Sequence, residues 1–202
     1  MSFWENTRKP VGLGGKLMVS LMNLGHSPVA WWGLRFLNVA PDAKVLDCGC
    51  GGGANIKRLL KKCPQGIVKG IDYSPVSVEK SQRVNADAIA KGRCMILQGS
   101  VAKRIFAEGW FDAVTAFETV YFWPELPQCF HEIHRMLKPG GMFLICNESS
   151  GDTDKDEKWT KIIDGMTIYK DVELKADLEQ AGFRDVQIHK NKWGWLCVTA
   201  RK

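Results

Sequence analysis

The sequence predicts an α/β protein built on a doubly wound, mostly parallel sheet with one reversed strand near its edge. Three observations carry this. From Asp42 onward, short apolar runs alternate with helical periodicities, the order that gives parallel strands with helices on both faces. A glycine-rich turn, Gly49-Cys50-Gly51-Gly52-Gly53, joins the first apolar run to the first helix of that series. The last two apolar runs lie only a few residues apart, with Gly194 between them. A gap that short permits an antiparallel hairpin but not a parallel crossover.

The first 40 residues stand apart from this alternation. Leu13, Leu17, Leu21 and Leu24 recur at helical spacing, with Met18 and Met22 beside them. Ser27-Pro28 offers an N-cap and a first-turn proline for a second helix. That helix carries Val29, Trp31, Trp32, Leu34, Phe36 and Leu37. It is apolar nearly all round, so it is expected to be covered. The domain reading is therefore a helical segment over 1–40 and a sheet domain over 41–202, together one globular unit.

The sheet domain follows in order. Residues 44–47 form a first strand and 55–60 a helix with a polar face. A second strand spans 67–72. Ser74-Pro75 then caps a long helix reaching about Ala90. Residues 94–97 and 111–116 are the third and fourth strands. A helix over 126–137 is stopped by Lys138-Pro139-Gly140-Gly141, and 142–146 is the fifth strand. Residues 186–190 and 195–200 form the closing hairpin. Between the fifth strand and this hairpin, 149–170 is one long connection. It leaves the carboxyl end of strand five, where open α/β sheets bind ligands.

Composition excludes several classes. A chain of 202 residues suits one core, and 45% hydrophobic residues is ordinary for a soluble protein. Net charge is +6 and the pI is near 8.9, but no basic run stands out as a nucleic-acid footprint. The densest charged stretch, 152–158, mixes both signs and reads as a solvated loop. The seven cysteines lie mostly in apolar runs, and no CxxC pair with zinc spacing occurs. A reducing cytoplasm is the simplest setting. No apolar run approaches the roughly 20 residues of a membrane span, and Met1-Ser2-Phe3-Trp4-Glu5-Asn6 lacks a signal-peptide pattern.

The glycine turn lets the backbone bend tightly and approach a ligand closely. Gly49-Cys50-Gly51-Gly52-Gly53-Ala54 also fits the GxGxxA form of a dinucleotide fingerprint, so a nicotinamide cofactor has to be weighed. Asp47 speaks against it, because a carboxylate two residues before the first glycine would face a pyrophosphate. It suits a ligand bearing an ammonium and a sulfonium instead. Asp72, ending the second strand, can accept both hydroxyls of an adenosine ribose, a role common to either cofactor.

Four segments together resemble the class I S-adenosylmethionine-dependent methyltransferases. Val45-Leu46-Asp47-Cys48-Gly49-Cys50-Gly51-Gly52-Gly53 is similar to their first motif and Gly70-Ile71-Asp72-Tyr73-Ser74 to their second. Phe111-Asp112-Ala113-Val114 is similar to the fourth-strand motif. The run from Glu132 to Gly141 is similar to the signature before strand five. The likeness covers about residues 42–202. It implies a seven-stranded sheet with an antiparallel last strand, and an N-terminal helical lid over S-adenosylmethionine. By position it implies that Asp47, Gly49 and Gly51 line the methionine end, Asp72 holds the ribose and Tyr73 packs on the adenine. After strand three the family usually has an acidic residue near the adenine amino group. This chain has Gln98-Gly99-Ser100-Val101, so Ser100 and Val101 stand in that place. Phe117 follows strand four beside the sulfonium.

On the acceptor side, Glu118 is a candidate base or amine-orienting group. Tyr121, with Phe122 and Trp123, is a candidate wall whose π faces suit a cation. His26, between the two N-terminal helices, is a candidate base or substrate contact. The start of the chain, from Gly15-Lys16-Leu17-Met18 to His26, is similar to a bacterial and archaeal subgroup of small methyltransferases. His131 and His134, three apart on one helix, lack a third metal ligand and read as structural; no metal is expected. Trp193 and Trp195 are expected to pack at the hairpin. The expected reaction is methyl transfer to a small-molecule acceptor, yielding S-adenosylhomocysteine. Neither a membrane nor a nucleic acid is expected as partner. A nucleic-acid or protein acceptor, and a non-catalytic cofactor-binding role, remain the alternatives. Against the first, Phe117-Glu118-Thr119-Val120 stands where amino-methylating nucleic-acid enzymes often carry an Asn/Asp-Pro-Pro-Tyr/Phe motif.

Overall fold

The computed structural model describes residue 25 and residues 27–152 and 154–202. Residues 1–24 and His26, which hold most of the expected lid, lie outside the described residues.

Helix α1 spans Ser27–Gly33. Strand β1 (Lys44–Cys48) leads through the glycine turn into α2 (Ala54–Lys62) and β2 (Ile67–Asp72). Helices α3 (Pro75–Val84) and α4 (Ala86–Ala90) lead to β3 (Cys94–Gln98). Strand β4 (Phe111–Phe117) is followed by a 3-10 turn, Val120–Phe122, then α5 (Leu126–Met136) and β5 (Leu137–Asn147). Helices α6 (Asp154–Ile162) and α7 (Asp171–Gln180) precede β6 (Arg184–Lys190) and β7 (Leu196–Arg201).

The seven strands form one sheet in the order β3-β2-β1-β4-β5-β7-β6. Neighbours from β3 to β5 pair in parallel. Strand β7 pairs antiparallel with both β5 and β6, as the short terminal gap requires. It lies just inside the edge, and β6 is the edge itself. The order reverses direction between β1 and β4, so the crevice at their carboxyl ends is the topological switch point.

Successive strand residues face opposite sides, and both sides are buried. Val45 and Leu46 are each fully buried, in different clusters. One face packs Leu46, Val114 and Phe143 under α5 and α7, through Phe130, Ile133 and Leu174. The other packs Val45, Val68 and Leu144 under α1 and α2, through Val29, Ile56 and Leu59. Each such side chain contributes about 1.5–3 kcal/mol on burial. Gly33 brings α1 onto β5: a Cβ there would stand 2.5 Å from Cys146 Sγ. This contact sets the end of α1 against the carboxyl ends of β4 and β5, and Val29 O, 3.5 Å from Cys146 Sγ, sets its first turn there too.

Three expectations are corrected. The long helix after Ser74 breaks at Asn85, whose Nδ2 donates to Gly53 O (3.1 Å) and Ser81 O (2.9 Å). The side chain is drawn to the glycine turn and competes with the helix backbone. The second N-terminal helix is not covered all round. Trp31 is 57% exposed, with its ring 5.5 Å from the Arg58 guanidinium. The charged stretch in the long connection is helical, not a loop. Within α6, Asp156 is buried, and its Oδ2 accepts from Gly151 N at 2.9 Å. The proline cap at Ser74 is as read: Ser77 N donates to Ser74 Oγ.

All seven cysteines are buried free thiols. Among the described residues no helix is long and apolar enough to cross a membrane. His131 Nδ1 lies 2.8 Å from Pro127 O, and His134 packs edge-on against Phe183. At the hairpin, Trp193 and Trp195 stand 5.2 Å apart, and Trp195 reaches Trp32 at 6.1 Å.

Candidate functional site

The switch-point crevice gathers most of the residues that the sequence singled out. Asp47, near the end of β1, is 2% exposed and lies in register with Gly70 on β2 and Thr115 on β4. Thr115 Oγ1 donates to Asp47 Oδ1 at 2.8 Å. Burial is the main force on this carboxyl and raises its pKa to about 7. The Thr115 hydrogen bond opposes the rise, the negative field of Asp72 adds to it, and the Arg58 charge opposes it.

Asp72 closes β2, also buried. Its Oδ2 accepts from Gly51 N and its Oδ1 from Ser74 N, both at 2.9 Å. Burial raises its pKa, while the two backbone donors pull it back. A carboxylate has room for about four hydrogen bonds, so two acceptor positions remain.

The glycine turn is held by β2. Gly49 N and Cys50 N both donate to Ile71 O, at 2.8 and 3.0 Å. With Gly51 N on Asp72, three consecutive N–H groups are spent inside the protein. They are not presented as a phosphate cradle, which weighs further against a pyrophosphate ligand. Gly49 has φ +74, and a Cβ on it would stand 2.0 Å from Thr119 Oγ1. Only glycine fits where the turn meets the segment after β4. Gly51, at φ +50, differs: a Cβ there would meet nothing within 4 Å. The space beside it is open for a ligand.

At the rim, Tyr73 is 40% exposed and its carbonyl accepts from Gln98 Nε2 at 3.1 Å. Ser100 Oγ accepts from Ala102 N at 3.4 Å. Val101 is buried in the core. Phe117 is buried too, and packs against α1 at Gly33.

The acceptor-side candidates converge in part. Glu118 has φ +57; its N–H donates to Cys146 O at 2.9 Å, and its carboxylate accepts from Glu148 N. Burial, and then the neighbouring Glu148, push its pKa well above the usual carboxylate range. Tyr121 is buried, and its hydroxyl is engaged twice by Ser149: it donates to Ser149 O (3.3 Å) and accepts from Ser149 N (3.0 Å). Both side chains therefore tie the end of β4 to the end of β5. Thr167 N donates to Tyr121 O at 2.9 Å, bringing the long connection back over the 3-10 turn. Trp123 Nε1 donates to Thr119 Oγ1 at 3.2 Å. His26 lies outside the described residues.

Two residues at this site carried no sequence signal. Arg58, on the face of α2 read as polar, donates to Ser27 Oγ (2.5 Å) and Asn55 Oδ1 (2.7 Å). Asn147, the last residue of β5, is fully buried with no hydrogen-bond partner on Oδ1 or Nδ2.

Comparison with known proteins bears on what this crevice holds. Residues 46–145 match the family model described as a methyltransferase domain. The cycloartenol-C-24-methyltransferase of Arabidopsis thaliana is 30% identical over 159 residues, 73% of this chain and 46% of that protein. Cycloartenol-C-24-methyltransferase 1 of Oryza sativa subsp. japonica is 33% identical over 109 residues, 54% of this chain and 31% of that protein. The chain thus spans less than half the length of these curated relatives. Among solved structures, a chain from the complex of the Haloferax volcanii Trm112 methyltransferase activator superposes with a TM-score of 0.84 at 21% identity, over 93% of both chains. A SAM-dependent methyltransferase from Aquifex aeolicus gives 0.76 at 18%, over 92% of this chain and 97% of that one. At these identities the structures speak for the fold, which is the one the four sequence segments implied. Motifs, matched family model and fold agree: the chain belongs to the class I S-adenosylmethionine-dependent methyltransferases.

Proposed function

We propose that this chain methylates a small, largely apolar molecule, with Asp47, Gly49, Gly51, Asp72 and Tyr73 forming the S-adenosylmethionine side of the site. The observation that carries the cofactor assignment is the pair of buried carboxyls, Asp47 and Asp72, ending adjacent strands on either side of the glycine turn. Both are held above their ordinary pKa by burial, so both favour a ligand that brings positive charge and hydroxyl donors. In this reading Asp47 meets the ammonium, and Asp72 uses its two remaining acceptor positions for the ribose hydroxyls. Tyr73 offers an exposed ring to the adenine. Ser100, Val101 and Phe117 contribute less: the first is engaged in its own turn, and the other two are core side chains.

The cofactor supplies a methyl group already activated by its sulfonium. The chain has to position an acceptor in line with it and exclude water, which supplies much of the rate. Trp123 and Tyr169 pack against the core, and Thr167 N on Tyr121 O brings the 163–170 segment back beside Tyr121, so these rings offer apolar surface for that purpose. The curated relatives named as sterol methyltransferases support an apolar acceptor, at low identity. Burial, and then Glu148, hold the Glu118 carboxyl above its ordinary pKa, which favours its neutral form. A positive charge developing beside it favours its carboxylate form, and it then steadies a cationic acceptor or takes a proton from one. His26 is a second candidate base from the lid.

Calorimetric titration with S-adenosylmethionine and with S-adenosylhomocysteine tests the cofactor half. Micromolar binding of both is expected, and heat from neither would reject the reading. Release of S-adenosylhomocysteine across a panel of sterols, quinones and fatty alcohols tests the acceptor class. Turnover confined to RNA, DNA or protein would reject it.

A second reading concerns partners. The whole-length likeness to a chain found with a methyltransferase activator supports a regulatory protein partner. The β3 edge carries no paired strand among the described residues and leaves Met95 and Leu97 exposed, as a strand-adding partner would require. Co-expression with Trm112 and a light-scattering mass of the product tests it, and a monomer mass would reject it.

A further inference from the structure

The methionine end of S-adenosylmethionine is a zwitterion. Its ammonium has a partner in the proposed function, but its α-carboxylate has none among Asp47, Gly49, Gly51 and the other residues assigned there. A carboxylate drawn beside a buried Asp47 is strongly disfavoured unless a cation stands with it.

Arg58 is placed for this. It lies in the second turn of α2, immediately beyond the glycine turn. Its guanidinium is held between the first residue of α1 (Ser27 Oγ) and the first turn of α2 (Asn55 Oδ1). Trp31 flanks it at 5.5 Å. Helix α1 packs on the carboxyl ends of β4 and β5, through Val29 O at Cys146 Sγ and Gly33 against Cys146 and Phe117, which sets Ser27, two residues before Val29, near that end of the sheet. Both groups holding the guanidinium are neutral oxygens. Among the described residues no carboxylate lies within ion-pair distance of it. Among the described residues Arg58 is thus partly buried with no carboxylate beside it, and two of its five N–H donors are used by Ser27 and Asn55. Asp47 and Arg58 also lie in each other's field: the arginine charge holds the Asp47 pKa down, and the aspartate raises that of Arg58 against its own desolvation. The acid and the base thus lie close enough, on either side of the glycine turn, for each to shift the other.

Building on the proposed cofactor site, we propose that Arg58 is the cation that receives the α-carboxylate of the methionine moiety, opposite Asp47. The planar guanidinium can take a carboxylate through two parallel N–H bonds. The same side chain also ties this site to the first residue of α1, through Ser27 Oγ.

Two ligands separate this from a structural role. S-adenosylmethionine carries the carboxylate. Decarboxylated S-adenosylmethionine keeps the sulfonium and the amine and lacks the carboxylate. Both are titrated calorimetrically into the wild type, Arg58→Gln, Arg58→Lys and Ser27→Ala, each first checked for folding by circular dichroism. The wild type is expected to prefer S-adenosylmethionine by about 10- to 100-fold, the span of a charge-assisted pair. Arg58→Gln should lose that preference, binding S-adenosylmethionine about 10- to 100-fold more weakly and the decarboxylated ligand within about threefold of wild type. Arg58→Lys should recover part of it. Ser27→Ala removes the tether and keeps the charge, so it should preserve the preference. Equal losses on both ligands in Arg58→Gln would overturn the proposal and leave Arg58 as a tether for α1. Unchanged affinities would overturn it in favour of another cation. A wild type that binds neither ligand would reject the cofactor reading itself, an outcome distinct from both.

Discussion

The ends of β1 and β2 and the ends of β4 and β5 lie side by side in one crevice but are built on different principles. On the β1–β2 side the polar groups are short of partners. Asp47 and Asp72 are buried acids raised above their ordinary pKa by desolvation, and Gly51 borders open space. On the β4–β5 side the polar groups are largely spent on the protein. Glu118 binds Glu148 N, and the Tyr121 hydroxyl binds both backbone groups of Ser149. The first region is prepared for charge. The second is braced. Under the proposed function, the cofactor side keeps its hydrogen-bonding capacity open, while the side proposed for an apolar acceptor satisfies its own backbone and presents rings.

The largest effect expected from this contrast is at Asp47. Its folded pKa is about 7, against about 3.9 in an unfolded chain. The folded state therefore holds the proton across that window. The stability tied to this group is full below about pH 4 and is lost as pH rises through about 7. The loss approaches about 4 kcal/mol, at 1.36 kcal/mol per unit. Asp47→Asn should consequently be more stable than wild type at pH 8 and close to it at pH 4 by denaturant melts. It should also bind S-adenosylmethionine poorly. Wild-type affinity should fall up to tenfold per unit below pH 7, as protonation removes the charge that meets the ammonium. A flat pH profile of binding would sever Asp47 from the ligand.

Asp72 comes next. Asp72→Ala removes the proposed ribose acceptors and also strips Gly51 N and Ser74 N of their partner. A loss of about 3 kcal/mol in S-adenosylhomocysteine binding, over 100-fold, is expected from two charge-assisted bonds. Affinity within threefold of wild type would place the ribose elsewhere.

These two residues were legible in the sequence because their meaning is local. Asp47 stands two positions before a glycine turn, Asp72 ends the next strand, and chain spacing alone brings them together. The braced region has no such shorthand. It joins residues 117–123, 147–149 and 163–170 with the start of α1, which meet only after folding. Glu118 and Tyr121 were visible as candidates, but not the bonds that occupy them. Arg58 was read as part of a solvated helix face, because its partners Ser27 and Asn55 have to be brought to it. Asn147 stands one residue beyond the fifth strand as the sequence predicts its bounds, and Asn85 is one residue in a long helical run. The α6 helix is hidden by its charge: it leaves Trp159 and Ile162 exposed and offers no apolar stripe to read.

A smaller effect tests the bracing itself. Tyr121→Phe keeps the ring and leaves Ser149 N–H buried without its acceptor. A stability loss of about 1–2 kcal/mol is expected from that orphaned donor, read from chemical denaturation. Cofactor affinity should stay within about threefold of wild type, because the tie lies across the crevice from Asp72. A large loss of cofactor affinity instead would show that the two regions are coupled through Ser149.

The smallest expected effect has the opposite sign. Asn147 is the exception within the braced region: both ends of its buried carboxamide lack a partner, beside Glu148 and Ser149, which are tied down. An unpaired buried amide is costly, and an apolar side chain of similar size removes that cost without opening a cavity. Asn147→Leu is therefore expected to be neutral or up to about 1 kcal/mol more stable in denaturant melts, with cofactor affinity unchanged. A loss above about 1 kcal/mol would mean that the carboxamide is satisfied in solution by an ordered water, and the region would then be braced throughout. A gain would mark Asn147 as a buried polar group in the braced region that, among the described residues, the protein's own groups leave unpaired. The contrast between the two regions would then be one of degree: several open polar groups on the β1–β2 side, and Asn147 on the β4–β5 side.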